Sequence, residues 1–191
     1  MTKVGLFGGS FNPPHLGHLI VAEEVLSALE LDRILFIPAH IPPHKESDIP
    51  SKERYEMTGI AISGNPRFQL SDVEMKRGGI SYTADTLREL RDVFREVEFY
   101  LIMGADEFAE IENWREPEAV LSLATVVVMR RPGCDVGGVG QKYSGRFLRV
   151  DVPLIEISSS DIRRKVKEGR SITYLVPLGV EEYIRQKGLY R

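Results

Sequence analysis

Short runs of β-branched and aliphatic residues alternate along this sequence with longer segments whose apolar residues recur every three or four positions, and few folds accept that alternation. The runs KVGLF, RFQLSD, EFYLIMG and TVVVM read as strands, as does the start of RFLRVDV, and RILFI reads as a buried strand broken at Pro38. Between the first two, Leu19, Ala22, Leu26 and Leu29 fall on one side of a helix whose other side carries Glu23, Glu24, Ser27 and Glu30. The same spacing predicts a helix from about Lys52 to Ser63, one in SYTADTLRELRDVF with Leu87, Leu90 and Phe94 in phase, and a helical region from Asp106 to Trp114. Two more follow, one after the serine-rich ISSS turn and one in GVEEYIRQKGLY. Repeated strand–helix units build a parallel sheet, so the expectation is a single α/β domain over residues 1–191, a Rossmann-like parallel sheet with helices on both faces. With 191 residues, 42% of them hydrophobic, the chain can bury one core of ordinary size.

In open sheets of this kind ligands bind beyond the carboxyl ends of the strands. The segments there are the opening loop, the proline-rich PAHIPPHKESDIPS, GAD, Arg130 and ISSS. The opening stretch GLFGGSFNPPHLGHL, residues 5–19, puts glycines between a strand and a helix, where backbone N–H groups and the positive end of the helix favour a phosphate. It is neither GxxxxGK[ST] nor GxGxxG. His15 and His18 stand three positions apart and can face one side of the helix start. Gly17 between them costs about 1 kcal/mol relative to alanine inside a helix, so a close approach by ligand or backbone is its expected reason. Spacing alone leaves three readings open: phosphate contacts, metal ligation that lacks a third ligand at a diagnostic spacing, or capping and packing.

ISSSDIRRK offers a serine N-cap, free first-turn N–H groups and Arg163 one turn in, which suits a triphosphate and equally an ordinary helix start. SYT likewise opens a helix whose unpaired amides favour an anion. Trp114, the single tryptophan, lies in the polar run IENWREP, suited to stacking on a flat ring or to half-buried packing. GCDVGGVGQKYSG is the stretch expected to be weakly ordered. Cys134 within it is the only cysteine, so no internal disulfide can form, and it reads as a plain loop thiol.

Net charge is −3, from 25 basic and 28 acidic residues, which gives no sign of a nucleic-acid or membrane-surface binder. The start MTKVGLFGG has no secretory pattern and no apolar run approaches membrane-spanning length, so a cytoplasmic location is expected.

GGSFNPPHLGH followed far downstream by ISSSDIR resembles the HxGH nucleotidyltransferases, and the likeness spans nearly the whole chain. Within that superfamily IPPHK, SYT, GADEF and Trp114 resemble the bacterial nicotinate-nucleotide adenylyltransferases. The chain departs from the pattern at Asn12, where many members carry Asp, and at Ser160, where Thr is frequent. The resemblance implies transfer of AMP from ATP to nicotinate mononucleotide, giving deamido-NAD and pyrophosphate in NAD biosynthesis, with Mg²⁺ bound through ATP and no metal ligand from protein side chains. It implies that His15, His18 and Arg163 are catalytic, with His18 on the α-phosphate and His15 on the phosphates beside it. Lys45 and Arg164 would join Arg163 on the β- and γ-phosphates; for Lys45 and Arg164 a solvated surface charge is an equal alternative. Gly8, Gly9, Ser10, Phe11, Gly104, Asp106, Ile157, Ser158 and Ser159 would surround ATP, Asp106 accepting from the ribose hydroxyls or simply capping its helix. Tyr82, Thr83, Trp114 and Arg130 would hold nicotinate mononucleotide, with the Tyr82 and Thr83 amides facing its carboxylate. Two rivals remain: transfer to phosphopantetheine, and a non-catalytic nucleotide-binding regulator. A homo-oligomer is left open.

Overall fold

The computed structural model describes residues 1–43, 47–130 and 137–191. Its first half runs β1 (Thr2–Gly9), α1 (Leu16–Ala28), β2 (Arg33–Pro38), α2 (Ser51–Ile62), β3 (Phe68–Leu70), α3 (Val73–Arg77), α4 (Thr83–Val93) and β4 (Val97–Gly104). The second half runs α5 (Ala105–Ala109), a 3₁₀ turn (Ile111–Asn113), α6 (Pro117–Leu123), β5 (Thr125–Arg130), α7 (Gly137–Lys142), β6 (Phe147–Asp151), α8 (Ser159–Lys167) and α9 (Leu178–Lys187). The strands form one sheet in the order β3-β2-β1-β4-β5-β6, and every pairing is parallel.

Side-chain alternation along each strand builds two cores, one on each face. Phe7, Ile34, Phe36, Ile102, Val127 and Met129 face the layer that holds α1, α2, α8 and α9 residues such as Val25, Met57, Ile162 and Val180. Val4, Leu6, Leu35, Leu101, Val126 and Val128 face the layer of α4, α5 and α6, with Leu87, Phe108 and Val120. The expected doubly covered parallel sheet is the observed one.

Gly5 alternates with these residues for a packing reason. A Cβ there would lie 2.9 Å from Ile34 and 3.0 Å from Ile102 and Leu31. Gly5→Val is therefore expected to destabilise the chain by about 1–3 kcal/mol through overpacking, read from the denaturant midpoint; an unchanged midpoint would show that the layer yields freely there.

Three helices escape the sequence reading. α3 and α7 have five and six residues, too short to show a period, and α6 begins with Pro117 as its first helical residue. The stretch expected to be weakly ordered is helical from Gly137 to Lys142, where Tyr143 is buried edge-on against Phe108. The helical region expected from Asp106 to Trp114 divides into α5 and the 3₁₀ turn. Lys45 and Cys134 lie outside the described residues. Among the described residues no helix is long and apolar enough to cross a membrane.

Candidate active site

The strand order reverses between β1 and β4, and it is at such a reversal that the carboxyl ends of a doubly wound sheet diverge and leave a crevice. Gly8 and Gly9 end β1 on one side of it and Gly104 ends β4 on the other. A Cβ on Gly8 would meet no atom within 4 Å, so the space above it is open. After Gly9 the chain enters the loop Ser10–His15, whose shape is set from inside by Phe11. Phe11 adopts φ 45°, a conformation that strains a residue with a Cβ, and its ring is 2% exposed. That ring sits against Phe7 and Phe36 at 5.8 Å and edge-on to His18 at 5.1 Å. The Phe11 side chain is thus part of the core.

From outside, the loop's carbonyls are held by groups from distant segments. Arg54 Nη1 donates to Ser10 O at 2.8 Å, Arg163 Nη1 to Asn12 O at 2.8 Å, and Ser159 Oγ to Pro13 O at 2.9 Å. Ser159 and Arg163 stand at the first and fifth positions of α8, so one helical turn brings both to the same loop. The pairing of the two end motifs expected from the sequence is thereby present in space. Ser158 caps α8, its Oγ accepting from the Asp161 N–H at 3.1 Å, and Ile157 is half-buried against the α1 layer. Arg163 Nε also lies 3.5 Å from Asp48 Oδ2, whereas Arg164 pairs with Asp161 on the exposed side of α8.

His15 is the N-cap of α1, and His18 occupies its third helical position. The His15 backbone N–H donates to His18 Nδ1 at 3.1 Å, and the two rings stack with centroids 3.6 Å apart, tilted by 26°. A nitrogen that accepts an N–H carries no proton of its own. The bond therefore selects the neutral His18 tautomer with its proton on Nε2, a hydrogen-bond donor without a full charge. His15 is 6% exposed and lies beneath its partner. Gly17 also has a packing reason: a Cβ there would lie 3.0 Å from His15 Nδ1 and 3.4 Å from Ile155, so glycine makes room for the folded-back His15 ring.

Arg54, which the sequence reading passed over, is 1% exposed. Its Nη2 donates to His40 O at 2.8 Å while Nη1 holds Ser10, so one guanidinium ties the loop after β1 to the loop after β2. Burial lowers its pKa. A signal existed: Arg54, Met57, Thr58 and Ala61 recur at three- and four-residue intervals on the buried side of α2, with an arginine in an otherwise uncharged stripe.

Across the crevice, Gly104 caps α5, and a Cβ on it would collide with the Asp106 carboxylate, which folds back over the strand end. Asp106 itself is exposed. Tyr82 is the N-cap of α4, and Thr83 and Ala84 supply first-turn amides that a helix leaves without an intrahelical partner. The Arg115 guanidinium stacks 4.7 Å above the Tyr82 ring and pairs with Asp85 at 3.3 Å, so the Trp114–Arg115 segment adjoins the start of α4. Trp114 is half-buried against the α4 layer. Under that helix start, Glu74 is buried and accepts from Thr86 Oγ1 at 2.5 Å; burial raises its pKa despite this bond and nearby Arg77. Arg130 stands at the end of β5 in a two-pronged pair with Asp151, at 2.6 and 3.0 Å. Among the described residues no group of three or more His, Cys, Asp or Glu side chains is placed to hold a metal ion.

Stacked imidazoles, an arginine and two helix starts gathered at the sheet reversal are the layout of a nucleotidyl-transferring α/β domain. The cytidylyltransferase-like family model matches residues 6–165, and the chain belongs to that family. It is 47% identical to a probable nicotinate-nucleotide adenylyltransferase of Thermus thermophilus over 99% of this chain and 100% of that protein. With the probable nicotinate-nucleotide adenylyltransferase of Geobacillus thermodenitrificans it shares 45% identity over 100% of this chain and 87% of the relative. The fold is also that of Plasmodium falciparum nicotinic acid mononucleotide adenylyltransferase complexed with NaAD, with a TM-score of 0.85 and 20% identity, covering 100% of this chain and 98% of that one.

Proposed function

We propose that this chain is a nicotinate-nucleotide adenylyltransferase: it transfers the AMP moiety of ATP to nicotinate mononucleotide, releasing pyrophosphate and forming nicotinate adenine dinucleotide. The observation that carries the reading is the junction of Ser159 and Arg163 with the opening loop beside His18, at the sheet reversal. A phosphate oxygen of the mononucleotide attacks the α-phosphorus of ATP, the bond to the β-phosphate oxygen breaks, and its electron pair leaves with pyrophosphate. The attacking phosphate is already ionised, so no general base is required. Catalysis is then alignment plus stabilisation of the charge that develops on the α-phosphate.

In this reading His18 Nε2–H donates to an α-phosphate oxygen, and His15 holds the His18 ring and flanks the neighbouring phosphates. Arg163 and the first-turn amides of α8 take the β- and γ-phosphates, with Lys45 as a further cation from outside the described residues. The Gly8–Gly9–Ser10 backbone approaches the phosphates, and Asp106, folded over Gly104, accepts from the ribose hydroxyls. On the other side the Tyr82 and Thr83 amides receive the nicotinate carboxylate and Trp114 covers the pyridine ring. Arg130 is the weakest member of that set, because Asp151 already satisfies its guanidinium. Mg²⁺ bound with ATP would supply charge neutralisation for the pyrophosphate, and no protein side chain is assigned to hold it.

Pyrophosphate release from ATP tests this with nicotinate mononucleotide, nicotinamide mononucleotide and phosphopantetheine as separate acceptors. The acid form is expected to be preferred by about 10²-fold or more, since amides placed for a carboxylate leave an unmatched group when it is replaced. Equal use of acid and amide forms would remove the carboxylate site, release with phosphopantetheine would move the chain to the rival acceptor, and release with none would leave a regulator.

A further inference from the structure

In the opening loop, the side chain and the carbonyl of Asn12 are both engaged by distant segments. Asn12 is 5% exposed. Its carbonyl accepts from Arg163, its Nδ2 donates to Ser47 Oγ at 3.2 Å, and its Oδ1 accepts from Tyr190 Oη at 2.6 Å. Ser47 in turn donates to Ile49 O at 2.9 Å, so its oxygen is left to accept from Asn12 Nδ2 and a flipped amide would lose that bond. Tyr190 reaches this position by an unusual path. After α9 the chain turns at Gly188 (φ 63°), Leu189 N–H closes on Ile184 O at 3.1 Å, and Tyr190 itself adopts φ 63°. That left-handed conformation disfavours a residue with a Cβ, and it aims the ring into the α1 layer with the hydroxyl on Asn12.

We propose that Tyr190 is a positioning residue for adenylyl transfer, fixing Asn12 and through it the Arg163 guanidinium and the start of α1 that carries His18. The inference rests on the function proposed above. Its physical basis is geometric: Arg163 is anchored to the loop by the carbonyl of the residue whose side chain Tyr190 holds, and small displacements of aligned groups cost rate. Burial holds the Tyr190 hydroxyl above its ordinary pKa, against the opposing influence of nearby Arg163 and Arg54, so it remains a donor throughout the neutral range.

The test is Tyr190→Phe, which keeps the ring and its packing and removes only the donor. With ATP and nicotinate mononucleotide, kcat is expected to fall about tenfold and KM for ATP to rise, the scale of one buried hydrogen bond expressed in the transition state. KM for nicotinate mononucleotide should stay near the parent value, while the thermal midpoint should fall by a few degrees, because the buried Asn12 Oδ1 loses its donor. In the Asn12→Ala background the same change should add no further loss, because the acceptor has gone. Parent-like kcat and KM for ATP in Tyr190→Phe, with or without a lowered midpoint, would overturn the proposal and leave Tyr190 a structural residue. An unmodified chain that releases no pyrophosphate would instead refute the proposed function, so the two failures are distinguishable.

Discussion

His18→Ala is expected to lower turnover by about 10²–10³-fold while leaving the chain folded, the scale for removing one donor aimed at developing charge. The geometry makes the expectation more specific than the motif does. Because His18 Nδ1 accepts the His15 N–H, the proton resides on Nε2, and alanine removes a neutral donor rather than a cation. The loss should therefore fall mainly on kcat, where the α-phosphate charge changes, and less on ATP affinity. Structurally, alanine frees one capping N–H and removes a ring packed edge-on to Phe11 and Phe7, a cost of about 1–2 kcal/mol that a core of this size can absorb. Steady-state pyrophosphate release beside a thermal melt checks both parts. Near-normal turnover would reject the role assigned to His18.

Arg54→Met is expected to produce the largest loss of stability among single changes at the site. Methionine fills much of the space but donates to neither Ser10 O nor His40 O, and each buried carbonyl left without its donor costs about 1–3 kcal/mol. Removing a buried charge returns part of this, since Arg54 is desolvated. The net expectation is about 2–4 kcal/mol, or a midpoint lower by roughly 5–15 °C for a chain of this length. Arg54→Lys should fall between the two, because an ammonium keeps the charge but cannot span both carbonyls as a planar fork does. Unchanged melting of Arg54→Met would show that the two loops are not held through this residue.

The candidate site was legible where local chemistry repeats a known device, and illegible where contact depends on chain folding over long separations. The GGSFNPPHLGH and ISSSDIR stretches carry their glycines, histidines, serine cap and arginine in plain view, and Ser159 and Arg163 do meet the opening loop. What each residue does there was less visible. The Phe11 ring belongs to the core, Gly17 accommodates the His15 ring, and His15 stacks under His18. Tyr190 and Asn12 are 178 positions apart, and no local pattern announces their bond.

Periodicity alone determined the class of fold. Runs that alternate buried side chains between two faces, separated by helices with one apolar stripe, can satisfy their backbone and bury both faces only as a covered parallel sheet. The order β3-β2-β1-β4-β5-β6, and with it the crevice between Gly9 and Gly104, came from tertiary packing, because each strand's apolar faces would accept several neighbours. Tertiary structure also decided how the polar groups around the site are oriented. The His18 tautomer, the Arg54 fork and the Asn12 amide are each set by a hydrogen bond whose partner is fixed by three-dimensional geometry, and residue type does not specify that partner.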